Sequence, residues 1–220
     1  CHLGARPIDR HLEAFKTLGV KVTDRDGEVH LDVDRLKGGT YKFPKKTHTG
    51  TEAFLMLAVT AQGRTIIENA GQEPEIDDLI LMLNNMGAKI RRAPLDKIII
   101  DGVPKLSGAI HRVVSDRNEA VSYACAALAT KGDIVIENAV PDHLKMFLQK
   151  VDEIGGKFDV ANYGIRFYYD KPLKSTDIKT SPEPGFMTDW QPLWSFLMTK
   201  TQGESTVIEA FYSNRLQFTD

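Results

Sequence analysis

Gly63-Arg64-Thr65-Ile66-Ile67-Glu68-Asn69-Ala70 returns as Gly132-Asp133-Ile134-Val135-Ile136-Glu137-Asn138-Ala139, and more loosely as Gly203-Glu204-Ser205-Thr206-Val207-Ile208-Glu209-Ala210. The leading glycines stand 69 and 71 residues apart. A second marker, apolar-Gly-small-Lys-apolar, recurs as Leu18-Gly19-Val20-Lys21-Val22, Met86-Gly87-Ala88-Lys89-Ile90 and Ile154-Gly155-Gly156-Lys157-Phe158, each 68 residues after the one before. Two independent markers with one period of about 70 residues describe a duplicated α/β repeat, since solenoid repeats run at roughly 20 to 50.

The elements of the repeat follow on either side of the first marker. Residues 51–61 and 118–130 are apolar and rich in Ala and Leu, which suits buried helices. Each is expected to close near a glycine, Gly63 or Gly132, in the left-handed conformation. After the β-branched stretch, Glu73-Pro74-Glu75 or Pro141-Asp142 supplies the acid and early proline of a helix start. Ile76, Leu79, Ile80 and Leu83 keep helical spacing, as do Leu144, Phe147, Leu148 and Val151. Two short strands close the repeat, at 89–92 with 97–101 and at 157–160 with 164–168. The order is helix, strand, helix, strand, strand. Its first helix reappears at 190–201, and its last three elements stand alone at 7–33. The loop 170–185, with Pro172, Pro182 and Pro184, separates two repeats. The polar link at 112–117 is expected to carry the chain between domains, dividing it into 1–114 and 115–220. Repeats cut at both ends, and a first residue that is Cys1 rather than Met, read as a stretch taken from something longer.

Composition narrows the function. The 220 residues carry 28 Lys and Arg against 30 Asp and Glu, a net charge of −2 that argues against a dedicated binder of nucleic acid or of membrane surfaces. An apolar fraction of 42% with 26% charged residues is ordinary globular composition and excludes disorder and collagen. No apolar run approaches the roughly 18 to 20 residues of a membrane span, and no signal peptide opens the chain, so a cytoplasmic protein is expected. Cys1 and Cys125 make neither a disulfide framework nor a zinc site, and His11, His30, His111 and His143 lack metal-ligand spacing. No metal and no cofactor is expected.

Four places can carry chemistry. Cys1 lies beside His2, Gly4 and Arg6, where positive charge favours a thiolate that serves as nucleophile or proton donor. Arg6, just before Pro7, presents a planar fork to phosphate or carboxylate. Lys45-Lys46-Thr47-His48-Thr49-Gly50-Thr51 leads into a helix and suits an anion, with a plain N-cap by Thr49 or Thr51 as the competing reading. Asp189 follows Gly185-Phe186-Met187-Thr188 at the start of a helix holding Trp190 and Trp194. It suits a general base for a sugar hydroxyl, or a helix cap. Asn214-Arg215 follows the last strand, where an arginine can meet an anion.

Cys-x-x-Gly-Ala-Arg-Pro-Ile-Asp from Cys1 to Asp9, the Glu73-Pro74-Glu75-Ile76 helix start, Thr188-Asp189-x-Gln191 and Asn214-Arg215 together resemble the UDP-N-acetylglucosamine 1-carboxyvinyltransferase family of enolpyruvyl transferases, in the right order across essentially all 220 residues. The resemblance implies two inside-out α/β barrels built from repeated β-α-β-α-β-β units, of which this chain holds part of each and is incomplete at both ends. It implies transfer of the enolpyruvyl group of phosphoenolpyruvate to the 3′-hydroxyl of UDP-N-acetylglucosamine, without metal, opening peptidoglycan precursor synthesis. Cys1 matches the family's cysteine that acts on phosphoenolpyruvate, and Arg6 the arginine contacting phosphate. Pro7, Ile8, Asp9 and Arg10 match the stretch holding the uridine. Lys45, Thr47, His48 and Thr49 match contacts to diphosphate and uracil, with Lys46 and Gly50 as alternatives one residue on. Asp189 matches the family's carboxylate that serves as base on the attacking hydroxyl, Phe211 a sugar contact, and Arg215 an arginine near the reacting groups.

The departures are specific. Thr47-His48-Thr49 stands where the family has Ser-Val-Gly, and Phe211 is bulkier than its counterpart. A Lys-Asn pair, an arginine before the cysteine and two later arginines have no counterparts here, so the 220 residues alone are expected not to turn over. A catalytically silent nucleotide-sugar-binding paralogue, and a transferase for another hydroxylated acceptor, are the competing readings.

Overall fold

The first two copies of the first repeat marker each fold as a strand between helices, and that local event organises the elements around it. The structure, a computed structural model, describes residues 7–212 and 215–219. The chain divides into two units, Cys1–Val113 and Val114–Asp220, each with its own core.

In the N-terminal unit the order is α1 (Asp9–Thr17), β1 (Lys21–Arg25), β2 (Glu28–Asp32), β3 (Thr40–Lys42), α2 (His48–Ala58), β4 (Arg64–Glu68), α3 (Pro74–Asn85), β5 (Lys89–Ala93) and β6 (Lys97–Asp101). β1 and β2 form an antiparallel hairpin, and the sheet β3-β4-β6-β5 is antiparallel except for the β3–β4 pair. Phe43, Phe54, Leu55, Ile67, Ile76, Ile98 and Ile100 fill the core beneath it. Ile98 and Ile100 bury and Ile99 does not, which is the period of two that a sheet with one covered face requires.

The C-terminal unit runs α4 (Arg117–Ala129), β7 (Asp133–Glu137), a 3₁₀ turn (Pro141–Leu144), α5 (Lys145–Glu153), β8 (Lys157–Ala161), β9 (Gly164–Tyr168), β10 (Ile178–Lys179), α6 (Gln191–Met198) and β11 (Val207–Ile208). Its sheet is β7-β9-β8, and β10 pairs in parallel with β11. Phe147 meets the rings of Trp190 and Trp194 at 6.1 and 5.9 Å, and Phe186 stands edge-on to Trp190 at 5.5 Å. These aromatic pairs fix the start of α6 against the core.

Register makes the repeat structural. Lys21 pairs with Asp32, Lys89 with Asp101 and Lys157 with Tyr168, so three hairpins begin at the same point of the second marker. Four expectations need correction. α2 begins at His48 rather than 51, because Thr47, extended at φ −145°, caps it by accepting from the Gly50 N–H at 3.3 Å. Gly132 is not left-handed; Lys131 takes that conformation at φ 59°. Gly63 is left-handed at φ 95°, but five residues beyond the end of α2. Pro141-Asp142 opens a 3₁₀ turn, and the α-helix starts only at Lys145.

Candidate functional site

The candidate residues fall in two groups, one in each unit. In the N-terminal unit, Pro7, Ile8, Asp9 and Arg10 form the exposed entrance of α1. The Ile8 carbonyl accepts from the N–H groups of His11 and Leu12 at 2.9 and 3.1 Å, and Asp9 supplies a negative charge at the positive dipole end. Cys1 and Arg6 lie outside the described residues.

The entrance of α2 is built from β3 outward. The Phe43 N–H donates to the Glu68 carbonyl at 3.1 Å, and the Asn69 side-chain amide donates to the Phe43 carbonyl at 2.8 Å. This sets Pro44, Lys45 and Lys46 ahead of the Thr47 cap. Lys45 and Thr49 are exposed, whereas Lys46 is half-buried and ion-paired with Asp96 at 2.8 Å. Asp96 also accepts from the Gln72 amide, and its carboxyl is held below the usual carboxylate range chiefly by the hydrogen bond from Lys46. His48 bonds Glu52 at 3.1 Å. Burial opposes a charged His48, but that bond, with the charges of Glu52, Glu73 and Glu75, outweighs burial and raises its pKa above 6.5. Thr51 is an internal tie and no cap: its hydroxyl donates to the Thr47 carbonyl at 2.7 Å and accepts from the Gly71 N–H at 3.0 Å. A Cβ on Gly50 would meet the Thr47 methyl at 2.5 Å, so the glycine lets the first turn close over its cap.

In the C-terminal unit, Asp189 and Arg215 are brought into an ion pair across 26 residues of sequence. Three features place it. Gln191, fully buried in the first turn of α6, donates its amide to the Arg215 carbonyl at 2.9 Å. The Arg215 guanidinium lies over the Tyr212 ring at 4.9 Å, and Tyr212 packs edge-on against Phe211 at 4.7 Å. Glu209 accepts from the hydroxyls of Thr188 and Thr180 at 2.7 and 2.9 Å, and from the N–H groups of Phe211 and Tyr212 at 2.7 and 2.9 Å. Burial pushes the Glu209 carboxyl up, but these four donors together hold it below its usual value. Asn214 lies outside the described residues.

The pair can do specific chemistry. Asp189 is a carboxylate, a group able to accept a proton, and its side chain is exposed. Arg215 offers further donors to an anion, since a guanidinium has five N–H bonds. Cys125, buried and pushed up to about 12 by that burial, is no nucleophile. Among the described residues no group of three or more His, Cys, Asp and Glu side chains is placed to hold a metal, and no helix is long and apolar enough to cross a membrane.

Sequence reading misses Glu209, Tyr212 and Gln191 as the parts that hold the pair. Gln191 belongs to the Thr188-Asp189-x-Gln191 run and Glu209 to the repeat marker, but neither pattern says what the side chain grips. Tyr212 carries no pattern beyond an aromatic three residues before an arginine.

Comparison with known proteins places the chain. The family model for EPSP synthase (3-phosphoshikimate 1-carboxyvinyltransferase) matches residues 1–219. UDP-N-acetylglucosamine 1-carboxyvinyltransferase 2 of Geobacillus kaustophilus is 42% identical over 220 residues, covering all of this chain and 51% of the relative. UDP-N-acetylglucosamine 1-carboxyvinyltransferase of Bartonella henselae is 43% identical over 219 residues, covering 98% of this chain and 51% of its own length. The chain thus spans about half the length of these curated relatives. Among solved structures, the enolpyruvyl transferase NikO of Streptomyces tendae superposes with a TM-score of 0.77 at 20% identity, over 97% of this chain and 55% of NikO. EPSP synthase of Acinetobacter baumannii gives 0.68 at 21%, over 96% and 52%. The fold is that of the enolpyruvyl transferases, and the chain belongs to the EPSP synthase (3-phosphoshikimate 1-carboxyvinyltransferase) family.

Proposed function

We propose that this chain supplies part of an enolpyruvyl transfer site, moving the enolpyruvyl group of phosphoenolpyruvate to the 3′-hydroxyl of UDP-N-acetylglucosamine with release of phosphate. The observation that carries this is the Asp189–Arg215 pair, a base beside an anion-binding cation, in a chain 42–43% identical to relatives bearing that enzyme's name.

The chemistry asks for such a pair. Protonating the methylene carbon of phosphoenolpyruvate leaves a cationic, oxocarbenium-like C2. The 3′-oxygen bonds to C2 while Asp189 takes the hydroxyl proton. The C2–O bond to phosphate then breaks, a proton leaves the new methyl group, and the enolpyruvyl ether and inorganic phosphate remain. Arg215 holds the anionic substrate beside Asp189. Cys1 is the acid and Arg6 a phosphate contact. Pro7, Ile8, Asp9 and Arg10 hold the uridine, Lys45, Thr47, His48 and Thr49 the diphosphate and uracil, and Phe211 the sugar. Residues 1–114 and 115–220 are read as parts of two inside-out barrel domains, in a cytoplasmic enzyme of peptidoglycan precursor synthesis.

The test is phosphate release by the full-length gene product given both substrates. Asp189→Asn keeps the shape and loses the base, so kcat is expected to fall roughly 10²- to 10⁴-fold. A variant within threefold of the parent would remove Asp189 from that role.

A further inference from the structure

We propose that Glu209 is the positioning residue of the Asp189–Arg215 pair, one carboxylate that clamps the segment carrying the base to the segment carrying the cation. This rests on the reading of Asp189 as the base. Its two oxygens divide the work. Oε2 accepts from the hydroxyl of Thr188, the residue next to Asp189, at 2.7 Å. Oε1 accepts from the N–H groups of Phe211 and Tyr212, at 2.7 and 2.9 Å, and Tyr212 is the ring on which the Arg215 guanidinium lies. A fourth bond, from the Thr180 hydroxyl at 2.9 Å, fixes the carboxylate to the end of β10, and the Ala210 N–H donates back to that hydroxyl at 2.9 Å.

The internal repeat shows what is particular here. The first marker ends Glu68-Asn69-Ala70, with Glu68 ion-paired to Lys97 at 2.6 Å and Asn69 turning the chain in the left-handed conformation at φ 54°. The third marker ends Glu209-Ala210, followed by Phe211, and lacks that asparagine. With no left-handed asparagine to turn the chain, the glutamate itself gathers the next two free N–H groups. The residue that in the first copy pairs with a neighbouring strand's lysine is here redirected to the loop that leads to Arg215. Misplacing a reacting group by about 1 Å costs on the order of 10²-fold in rate, so a clamp of this kind acts on catalysis without touching substrate.

Four variants of the full-length protein test it: Glu209→Ala, Glu209→Gln, Thr188→Val and Thr188→Ser. Glu209→Ala and Thr188→Val are expected to lower kcat roughly 10- to 100-fold. The KM for UDP-N-acetylglucosamine should stay within about threefold in Thr188→Val, which leaves the Oε1 bonds to the Phe211 and Tyr212 N–H groups in place. Thr188→Ser restores the hydroxyl and should return kcat to within about twofold of the parent. Amide hydrogen exchange at Phe211 and Tyr212 should quicken at least tenfold in Glu209→Ala and stay unchanged in Thr188→Val, which cuts only the Oε2 side. A Thr188→Val enzyme with parental kcat overturns the clamp, and so does a loss of kcat no larger than the loss of folded protein by melting. If Glu209→Ala does not fold, Glu209→Gln and the Thr188 pair decide. If the parent releases no phosphate from the two substrates, the transferase reading fails instead. The exchange arm then judges the clamp alone, and unchanged protection at Phe211 and Tyr212 sinks it.

Discussion

His48 and Glu209 put opposite signs into the pH dependence of stability. A cation in the first turn of α2 faces the positive dipole end and is half-buried, two effects that favour the neutral ring. The carboxylates of Glu52, Glu73 and Glu75 outweigh them and raise the His48 pKa. A folded pKa above the unfolded 6.5 means stabilisation fully present below that value and lost as pH rises through the folded value. Glu209 runs the other way. Its carboxyl is depressed below 4.5, so its contribution is present above that value and lost as pH falls through the folded one. Urea unfolding of the His48→Gln variant should therefore show its deficit against the parent at about pH 5.5 and a smaller one at about pH 8.5. For Glu209→Gln the deficit should be large at about pH 7 and shrink toward about pH 3. A deficit that does not change with pH for either variant contradicts the assigned partners.

At the scale of elements, two glycines separate what a pattern can say from what packing decides. Gly132 sits where a helix-ending glycine is expected, yet Lys131 is the left-handed residue, and a Cβ on Gly132 meets nothing nearer than the Ala127 carbonyl oxygen at 3.4 Å. Gly132→Ala should thus be neutral or stabilise by about 0.4–1 kcal/mol through the unfolded chain. Gly102 attracts no attention in the sequence, but a Cβ there would be driven into the Ala61 carbonyl and lie 3.2 Å from that of Gly63. Gly102→Ala should cost roughly 1–3 kcal/mol or more, read as a lower urea midpoint. If Gly132→Ala is the more damaging of the two, the assignment of the left-handed residue is wrong.

The same contrast separates the elements the sequence makes legible from those it does not. The helices at 74–85 and 145–153 and the hairpins at 89–101 and 157–168 were legible because one face of each is buried, which stamps a period of 3.6 or 2 on the residues. β3 and β10 are three and two residues long and carry no period to detect, whereas β11 is legible only as the third copy of the marker. Asp189 and Arg215 were legible as types of residue. Their grip was not, because Thr188 to Glu209, Gln191 to Arg215 and Asp189 to Arg215 are bonds over 21, 24 and 26 residues, with no local signature.

For the whole molecule the open choice is the acceptor. The family model carries the name of the shikimate enzyme, whereas the relatives at 42–43% identity carry that of the UDP-N-acetylglucosamine enzyme. Phe211 is half-buried, against Tyr212, in the loop next to Arg215, and His48 stands in the first turn of α2. Under the proposed function these are the places where a changed acceptor would be accommodated. A ligand that binds only the folded state stabilises it by RT ln(1 + [L]/Kd), about 2.7 kcal/mol at a hundredfold excess over Kd. UDP-N-acetylglucosamine is therefore expected to raise the melting temperature of the full-length protein by several degrees at millimolar concentration, and shikimate 3-phosphate to leave it unchanged. His48→Ala should reduce the nucleotide-sugar shift if the α2 entrance holds the diphosphate, while Asp189→Asn should preserve it if Asp189 is the proposed base, which is needed for transfer and far less for binding. A shift with shikimate 3-phosphate alone would reassign the acceptor, and a shift with neither would favour a protein that keeps the fold for another hydroxylated partner.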